Sequence, residues 1–409
     1  MQARKSSRQD AQLSVVADEQ PEPFVALDPP VFRRRLMSWY RGHARELPWR
    51  GIHDPYRTWV SEVMLQQTRV EAVIEHYYNF LRLFPTILAL ALAREEDVLA
   101  AWSGLGYYRR ARMLHKAAQF ITKERNGVLP HTALELRTLP GIGEYTSAAI
   151  ASIAFGESVA VVDGNVERVL LRLTGRAEQT NAAGRSFVQQ QANLLVPRRR
   201  MEGNTNAAGD HNQAMMELGA TICLPRSPLC LNCPVYAMCA TKGEHMTAPR
   251  TAQKSRPAAY LLSLRKRGVI TEVLLERRAA NASLMPGMYE LPPLPQDVVG
   301  EREPLLRVRH SITNTNYYVQ VFAPRSSKDR ALRRAVPASR NDLHWVRTSK
   351  LGQMALTGLA KKILQRLDVM TVKPIELTVA DDSASSKSSQ RATAKLKRAS
   401  SADLGEEEF

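Results

Sequence analysis

LPGIGEYTSAAIASIAFG, residues 139–156, joins a Gly-containing turn to a run of helix formers. TALELRT (132–138) precedes it and is also helical in pattern, so two helices flank the turn 139–143. Gly141 and Gly143 can take backbone angles closed to other residues. A turn built on them aims backbone N–H groups outward at the start of the next helix, a ready site for an anion such as a phosphate. The same residues also serve as a plain helix–helix connection, so the flanking chemistry decides. Twenty residues past Gly143, within VAVVDGNVERVLLRL (159–173), Asp163 precedes another helix. There it can act as a simple N-cap. A helix N-terminus also favours an ionised carboxylate, and an anion held beside a reacting sugar stabilises an oxocarbenium ion.

A second carboxylate stands upstream. Glu62 lies in YRTWVSEVMLQQTRV (56–70), among Trp59, Val60, Val63, Met64 and Leu65. An exposed helical glutamate is the ordinary reading. An acid among apolar residues, however, keeps its proton and can act as a general acid. Glu62 protonated and Asp163 ionised is the division of labour used in glycoside cleavage, provided both face one cleft.

Cys223, Cys230, Cys233 and Cys239 are the four cysteines of the chain, spaced C-x6-C-x2-C-x5-C. Clustering this tight is unlike scattered structural cysteines, and four thiolates satisfy zinc or a [4Fe–4S] cluster. Zinc sites usually pair two C-x2-C knuckles across a longer spacer. One knuckle flanked by single cysteines at short, unequal distances favours the iron–sulfur cubane. Pro225, Pro228 and Pro234 stiffen the loop, and Arg226 inside it suits a phosphate contact.

Around these motifs the 409 residues divide. Residues 1–29 are polar and without periodicity, a disordered tail by composition. The chain is helical in pattern from Val31 to about Phe155, notably over 72–92 and 97–123, and 199–210 reads as a loop between helices. Residues 241–258 suit a linker. From 259 to 368 strands alternate with turns, as in AYLLSLRKRGVITEVLLERR (259–278) with its Arg-Gly turn, YYVQVFAP (317–324) and LHWV (343–346). MALTGLAKKILQRL (354–367) closes the segment as a helix, and 369–409 is low-complexity, a second disordered tail. The net charge is +17, yet residues 29–369 alone carry 48 Lys and Arg against 28 Asp and Glu. The excess lies on the folded body, which points to a polyanion partner, most often nucleic acid. No run of 18 apolar residues and no signal-like N-terminus is present, so a cytoplasmic protein without a membrane role is expected.

LPWR (47–50), WVSEVMLQQTRV (59–70), GLGYYRRARMLHKAA (104–118), LPGIGEYTSAAIASIAFG, VDGNVERVL (162–170) and the four-cysteine loop together resemble adenine DNA glycosylases of the helix–hairpin–helix superfamily. The resemblance runs from about Phe32 to Cys239 and more weakly to about Leu367. It implies an all-α helix–hairpin–helix domain over 30–240, with a [4Fe–4S] loop at 223–239, followed by an α+β Nudix-like domain over 259–368. It implies removal of adenine mispaired with 8-oxoguanine or guanine in double-stranded DNA, by a monomer. Glu62 matches the general acid and Asp163 the carboxylate that stabilises the sugar cation, supported by Tyr145 and Asn165. Arg50 matches a contact to the extruded adenine, and Gln213 a polar group near it. Gln67 and Tyr107 match the wedge that fills the duplex when a base is flipped out.

Related glycosylase/lyases of the endonuclease III type carry a lysine where this chain has Tyr145. A tyrosine forms no Schiff base, so a monofunctional enzyme is expected. A non-catalytic iron–sulfur DNA-binding protein is the other alternative, opposed by the presence of both Glu62 and Asp163. In the second domain LLERRAANASLMPGMYELPPLP (274–295) matches a Nudix entry. QDVVGEREPLL (296–306) lacks the RE-x2-EE helix, and no pyrophosphohydrolase activity is expected. The family reads 8-oxoguanine with a Phe-Ser-His loop after a histidine. Here Ile312-Thr313-Asn314 follow His310, and Thr313 alone keeps the hydroxyl.

Overall fold

The computed structural model describes residues 27–198, 206–245, 253–324, 329–336 and 341–370. The first part is helical: α1 (Pro29–His43), α2 (Pro55–Leu65), α3 (Val70–Leu83), α4 (Ile87–Leu92), α5 (Glu95–Ala101) and α6 (Arg109–Glu124). There follow α7 (Ala133–Leu136), α8 (Glu144–Phe155), α9 (Gly164–Thr174), α10 (Ala182–Leu195) and α11 (Ala207–Thr221). Among the described residues no helix is long and apolar enough to cross a membrane.

Local chemistry sets the boundaries. Asp28 caps α1 through Val31 N at 3.2 Å, with Pro29 in the first turn; Phe32, Leu36 and Tyr40 then form its buried stripe. Leu27 is buried as well, which corrects the last residues of the tail expected over 1–29; residues 1–26 lie outside the described residues. The expected helix over 72–92 is two helices, because Pro85 cannot continue α3 and Thr86 recaps α4 through Ala89 N. The expected helix over 97–123 is likewise two. Between α5 and α6 the loop 102–108 places Gly104, Gly106 and Tyr107 at positive φ. Of the loop expected over 199–210, residues 199–205 lie outside the described residues, and Asn206 already caps α11 through Gly209 N at 2.8 Å.

The second part is α+β. Strand β1 (Lys254–Leu261) starts inside the stretch read as a linker. It runs parallel to β6 (Thr315–Phe322), which pairs antiparallel with β5 (Leu306–Ile312). A second sheet orders β2 (Leu264–Arg267), β3 (Ile270–Arg277) and β4 (Tyr289–Glu290), with β7 (Leu343–Arg347) also on β3. The β2–β3 turn holds Gly268 at φ 60, as the Arg-Gly signal predicts. Val273, Leu274 and Leu275 are all buried, since α12 (Gln296–Val299) and α13 (Arg330–Ala335) lie on one side and α14 (Gly358–Arg366) on the other. Val369 and Met370 pack on that core, which corrects the first two residues of the tail expected over 369–409; residues 371–409 lie outside the described residues.

Two large apolar cores fill the helical part, with a small third cluster of Ala148, Ala149, Ile153 and Val161 packed against Tyr145 and Met216. One is built from α2 to α8, the other from α1, α9, α10, α11 and the cysteine loop. The candidate site lies along their seam.

Candidate active site

Helix α2 is capped by Asp54, whose carboxylate accepts from Tyr56 N and Arg57 N. From Thr58 to Met64 every residue is buried, Glu62 included at 5% exposure. α8 packs against it and is buried on every side from Thr146 to Ala154. The hydroxyl of Tyr145, in its first turn, donates to Glu62 Oε2 at 2.5 Å and lies 3.6 Å from Met216 Sδ. Burial pushes the Glu62 carboxyl up to about 7, against the lowering effect of the Tyr145 hydrogen bond; the nearby Asp163 raises it further and Arg50 lowers it.

Asp163 is the N-cap of α9. Its Oδ1 accepts from Val166 N at 2.8 Å and its Oδ2 from Asn165 Nδ2 at 2.8 Å. The structural and the chemical readings of Asp163 are therefore compatible, because the cap uses one oxygen and orients the other. Asn165 is pressed against α11 at Gly219, where a Cβ would lie 2.6 Å from the Asn165 Cβ. Arg168 secures the arrangement by donating to Asn165 Oδ1, Gly219 O and Cys223 O.

Arg50 lies beside this site but is engaged. It donates to Glu217 Oε2 at 2.6 Å and to Arg45 O at 2.8 Å. Glu217 is fully buried; desolvation alone would raise its pKa, yet hydrogen bonds from Arg45 and Arg50 hold it down to about 2. Gln213, two turns from the end of α11, lines a cleft of about 430 Å³ together with His53, Asn206 and Asp210. That cleft is lined by neither Glu62 nor Asp163. Glu217, Met216, Arg168 and Gly219 carry no local signal in the sequence and were found through the fold alone.

The hairpin corrects one expectation. Gly141 does sit at φ 75, and a Cβ there would meet the Met113 Cβ at 2.4 Å. Gly143 is in extended backbone, φ −93, with open space around it. Its role is to start α8, not to adopt a left-handed angle. No side chain caps that helix, which leaves its first N–H groups available to an anion.

Gln67 and Tyr107 both lie at positive φ, 55 and 47, with exposed side chains. Thr313 is at φ 50 in the two-residue turn between β5 and β6, its hydroxyl donating to Ile312 O at 2.8 Å. It belongs to the α+β part and shares no hydrogen bond with the Glu62–Tyr145 group.

Cys223, Cys230, Cys233 and Cys239 are free, half-buried and adjacent enough to influence one another. Among the described residues no group of three or more His, Cys, Asp or Glu is drawn together tightly enough to hold a metal ion. The donor chemistry nevertheless fits one. Burial and the neighbouring sulfurs push the Cys233 thiol up to about 11, a set that a bound cation would deprotonate. Arg172 Nη1 and Lys242 N already point at sulfur, at Cys223 and Cys239, both at 3.4 Å.

The family model that matches residues 60–192 is described as HhH-GPD superfamily base excision DNA repair protein. An adenine DNA glycosylase of Rattus norvegicus is 46% identical over 222 residues, covering 52% of this chain and 42% of that protein. An adenine DNA glycosylase of Mycobacterium tuberculosis (strain CDC 1551 / Oshkosh) is 41% identical over 218 residues, covering 53% of this chain and 69% of that protein. Among solved structures, a thermostable thymine-DNA glycosylase superposes with a TM-score of 0.48 at 26% identity, over 52% of this chain and 96% of that one. The chain thus spans less than half the length of the rat relative it matches.

Proposed function

The chain belongs to the adenine DNA glycosylase family, and from that premise we propose that it hydrolyses the N-glycosidic bond of adenine mispaired with 8-oxoguanine or guanine in double-stranded DNA, without cutting the strand. The observation that carries the reading is the buried Glu62–Tyr145 pair beside the Asp163 cap. Base chemistry in a duplex requires extrusion. Glu62 enters the reaction protonated and gives its proton to the departing adenine. The C1′–N bond breaks, and the sugar carries the positive charge. Asp163, fixed as the cap at the start of α9, stabilises that cation. Glu62, now a carboxylate, takes a proton from water as the water oxygen bonds to C1′. Tyr145 holds Glu62 in place and, as a phenol, forms no imine with the sugar.

The same proposal places a [4Fe–4S] cluster on Cys223, Cys230, Cys233 and Cys239. When bound it would supply fixation of a loop bearing Arg226, not chemistry at the glycosidic bond. Thr313, exposed at its turn, is proposed to contact 8-oxoguanine.

Purified protein assayed on 8-oxoG:A duplexes tests the reading directly. Adenine release is expected, with strand breaks appearing only after alkali and no borohydride-trapped adduct. Release that persists in Glu62→Gln overturns the mechanism. Equal rates on 8-oxoG:A and G:A duplexes overturn the role given to Thr313.

A further inference from the structure

We propose that Arg110 is a positioning residue that locks the two wedge candidates, Gln67 and Tyr107, into one arrangement; this rests on the adenine-release reading above. Both residues are held in left-handed backbone that side chains ordinarily avoid, so something in the fold must hold them there. The two turns are far apart in sequence, and a single guanidinium in the first turn of α6 joins them. Arg110 Nη1 donates to Val63 O and Met64 O, both at 2.8 Å, and to Gln66 O. Its Nη2 donates to Thr68 Oγ1 at 3.0 Å, Gly106 O at 3.2 Å and Leu105 O at 3.3 Å. The acceptors thus bracket Gln67 on both sides and run up to Tyr107.

Three further facts mark Arg110 as more than a solvated charge. Val63 and Met64 lie in the last turn of α2, so the cation also sits at the C-terminal end of that helix's dipole. The guanidinium lies over the rings of Trp102 and Tyr107, 5.4 and 5.5 Å from their centroids. Its acceptors are carbonyls and one hydroxyl, with no carboxylate among them. The planar fork is what spans six acceptors; a lysine ammonium would concentrate its donors at one point. Once adenine has left the stack, two side chains at a fixed separation can fill the gap together. Two turns free to move apart would let the base return. Loss of Arg110 therefore acts on extrusion and not on proton transfer at Glu62.

The test uses the full chain, as wild type, Arg110→Lys, Arg110→Met and Tyr107→Ala, each checked by thermal melting. Single-turnover adenine release is measured on an 8-oxoG:A duplex and on a duplex whose adenine faces an abasic-site analogue and is already unpaired. Arg110→Lys is expected to slow the mispaired substrate by about 100-fold, the scale of a small misplacement of reacting groups. The unpaired substrate should slow far less, as with Tyr107→Ala, and the alkaline limb of the pH–rate profile should not move. Should Arg110→Met fail to fold, the lysine variant carries the test. Equal slowing on both substrates, a displaced alkaline limb, or a lysine variant as fast as wild type overturns the proposal. A wild type that releases adenine from neither substrate overturns instead the reading on which it rests.

Discussion

Glu62 sits 5% exposed with one phenolic partner, and this sets how the proposed reaction responds to pH. With its carboxyl near 7, the acid form dominates below that pH and is lost above it. The single-turnover rate at saturating enzyme should be flat in mild acid and fall about tenfold per pH unit above about pH 7. Tyr145→Phe removes a hydrogen bond that favours the carboxylate, so the limb should move to higher pH; a limb that moves down refutes the assignment. The same shift touches stability. A carboxyl raised from 4.5 to about 7 favours the fold fully at low pH, and that contribution is lost as pH rises between the two values. Glu62→Gln should therefore melt higher than wild type by a margin that grows from pH 5 to pH 8, on the order of 3 kcal/mol at the top.

At the scale of elements, the hairpin before α8 separates two glycines that look alike in sequence. Gly141→Ala forces a Cβ onto Met113 at a left-handed position and should lower both the melting temperature and the proposed DNA affinity. Gly143→Ala meets open space at φ −93 and should leave both nearly unchanged, within about 0.5 kcal/mol, as for a substitution away from special features. Paired melting and equilibrium binding of the two variants decide this. The cysteine loop is a separate element. Arg172, itself 2% exposed, ties it to α9 by donating to Leu224 O at 2.7 Å and Pro225 O at 3.0 Å. Cys233→Ser should lower folding yield and DNA affinity before it alters the chemical step. Normal affinity in a preparation free of iron and sulfide speaks against a cluster that pins this loop.

Over the whole molecule, the helical and α+β parts meet behind the Tyr107 loop. Ser103 Oγ and Tyr108 OH both donate to Leu356 O, at 3.0 and 3.2 Å, and Lys361 Nζ returns a bond to Ser103 O at 2.8 Å. Removing both hydroxyls, as Ser103→Ala with Tyr108→Phe, leaves a buried carbonyl without its donors and should cost about 1–3 kcal/mol in thermal unfolding. The net charge of +17 acts at the same scale. Binding to duplex DNA should weaken at least about tenfold between 50 and 200 mM salt; an affinity insensitive to salt would contradict a phosphate-dominated interface.

The residue types and their local spacing were sufficient to mark the hairpin, Glu62, Asp163 and the four cysteines. Capping, glycine turns and apolar periodicity act within a few residues, and they are written into the chain directly. Where they failed, the cause was equally local: Pro85 split one expected helix, and Gly104 and Gly106 split another. Contacts between distant segments left no such trace. Glu217 clasping Arg45 and Arg50, Arg168 tying Asn165 to Cys223, and Arg110 joining two turns all depend on elements folding against one another. The proton on Glu62 belongs to both levels. Its apolar neighbours are a matter of sequence, but only the packing of α8 against α2 brings Tyr145 to it, and only α9, seated on α11, carries Asp163 near enough to act on how firmly that proton is held.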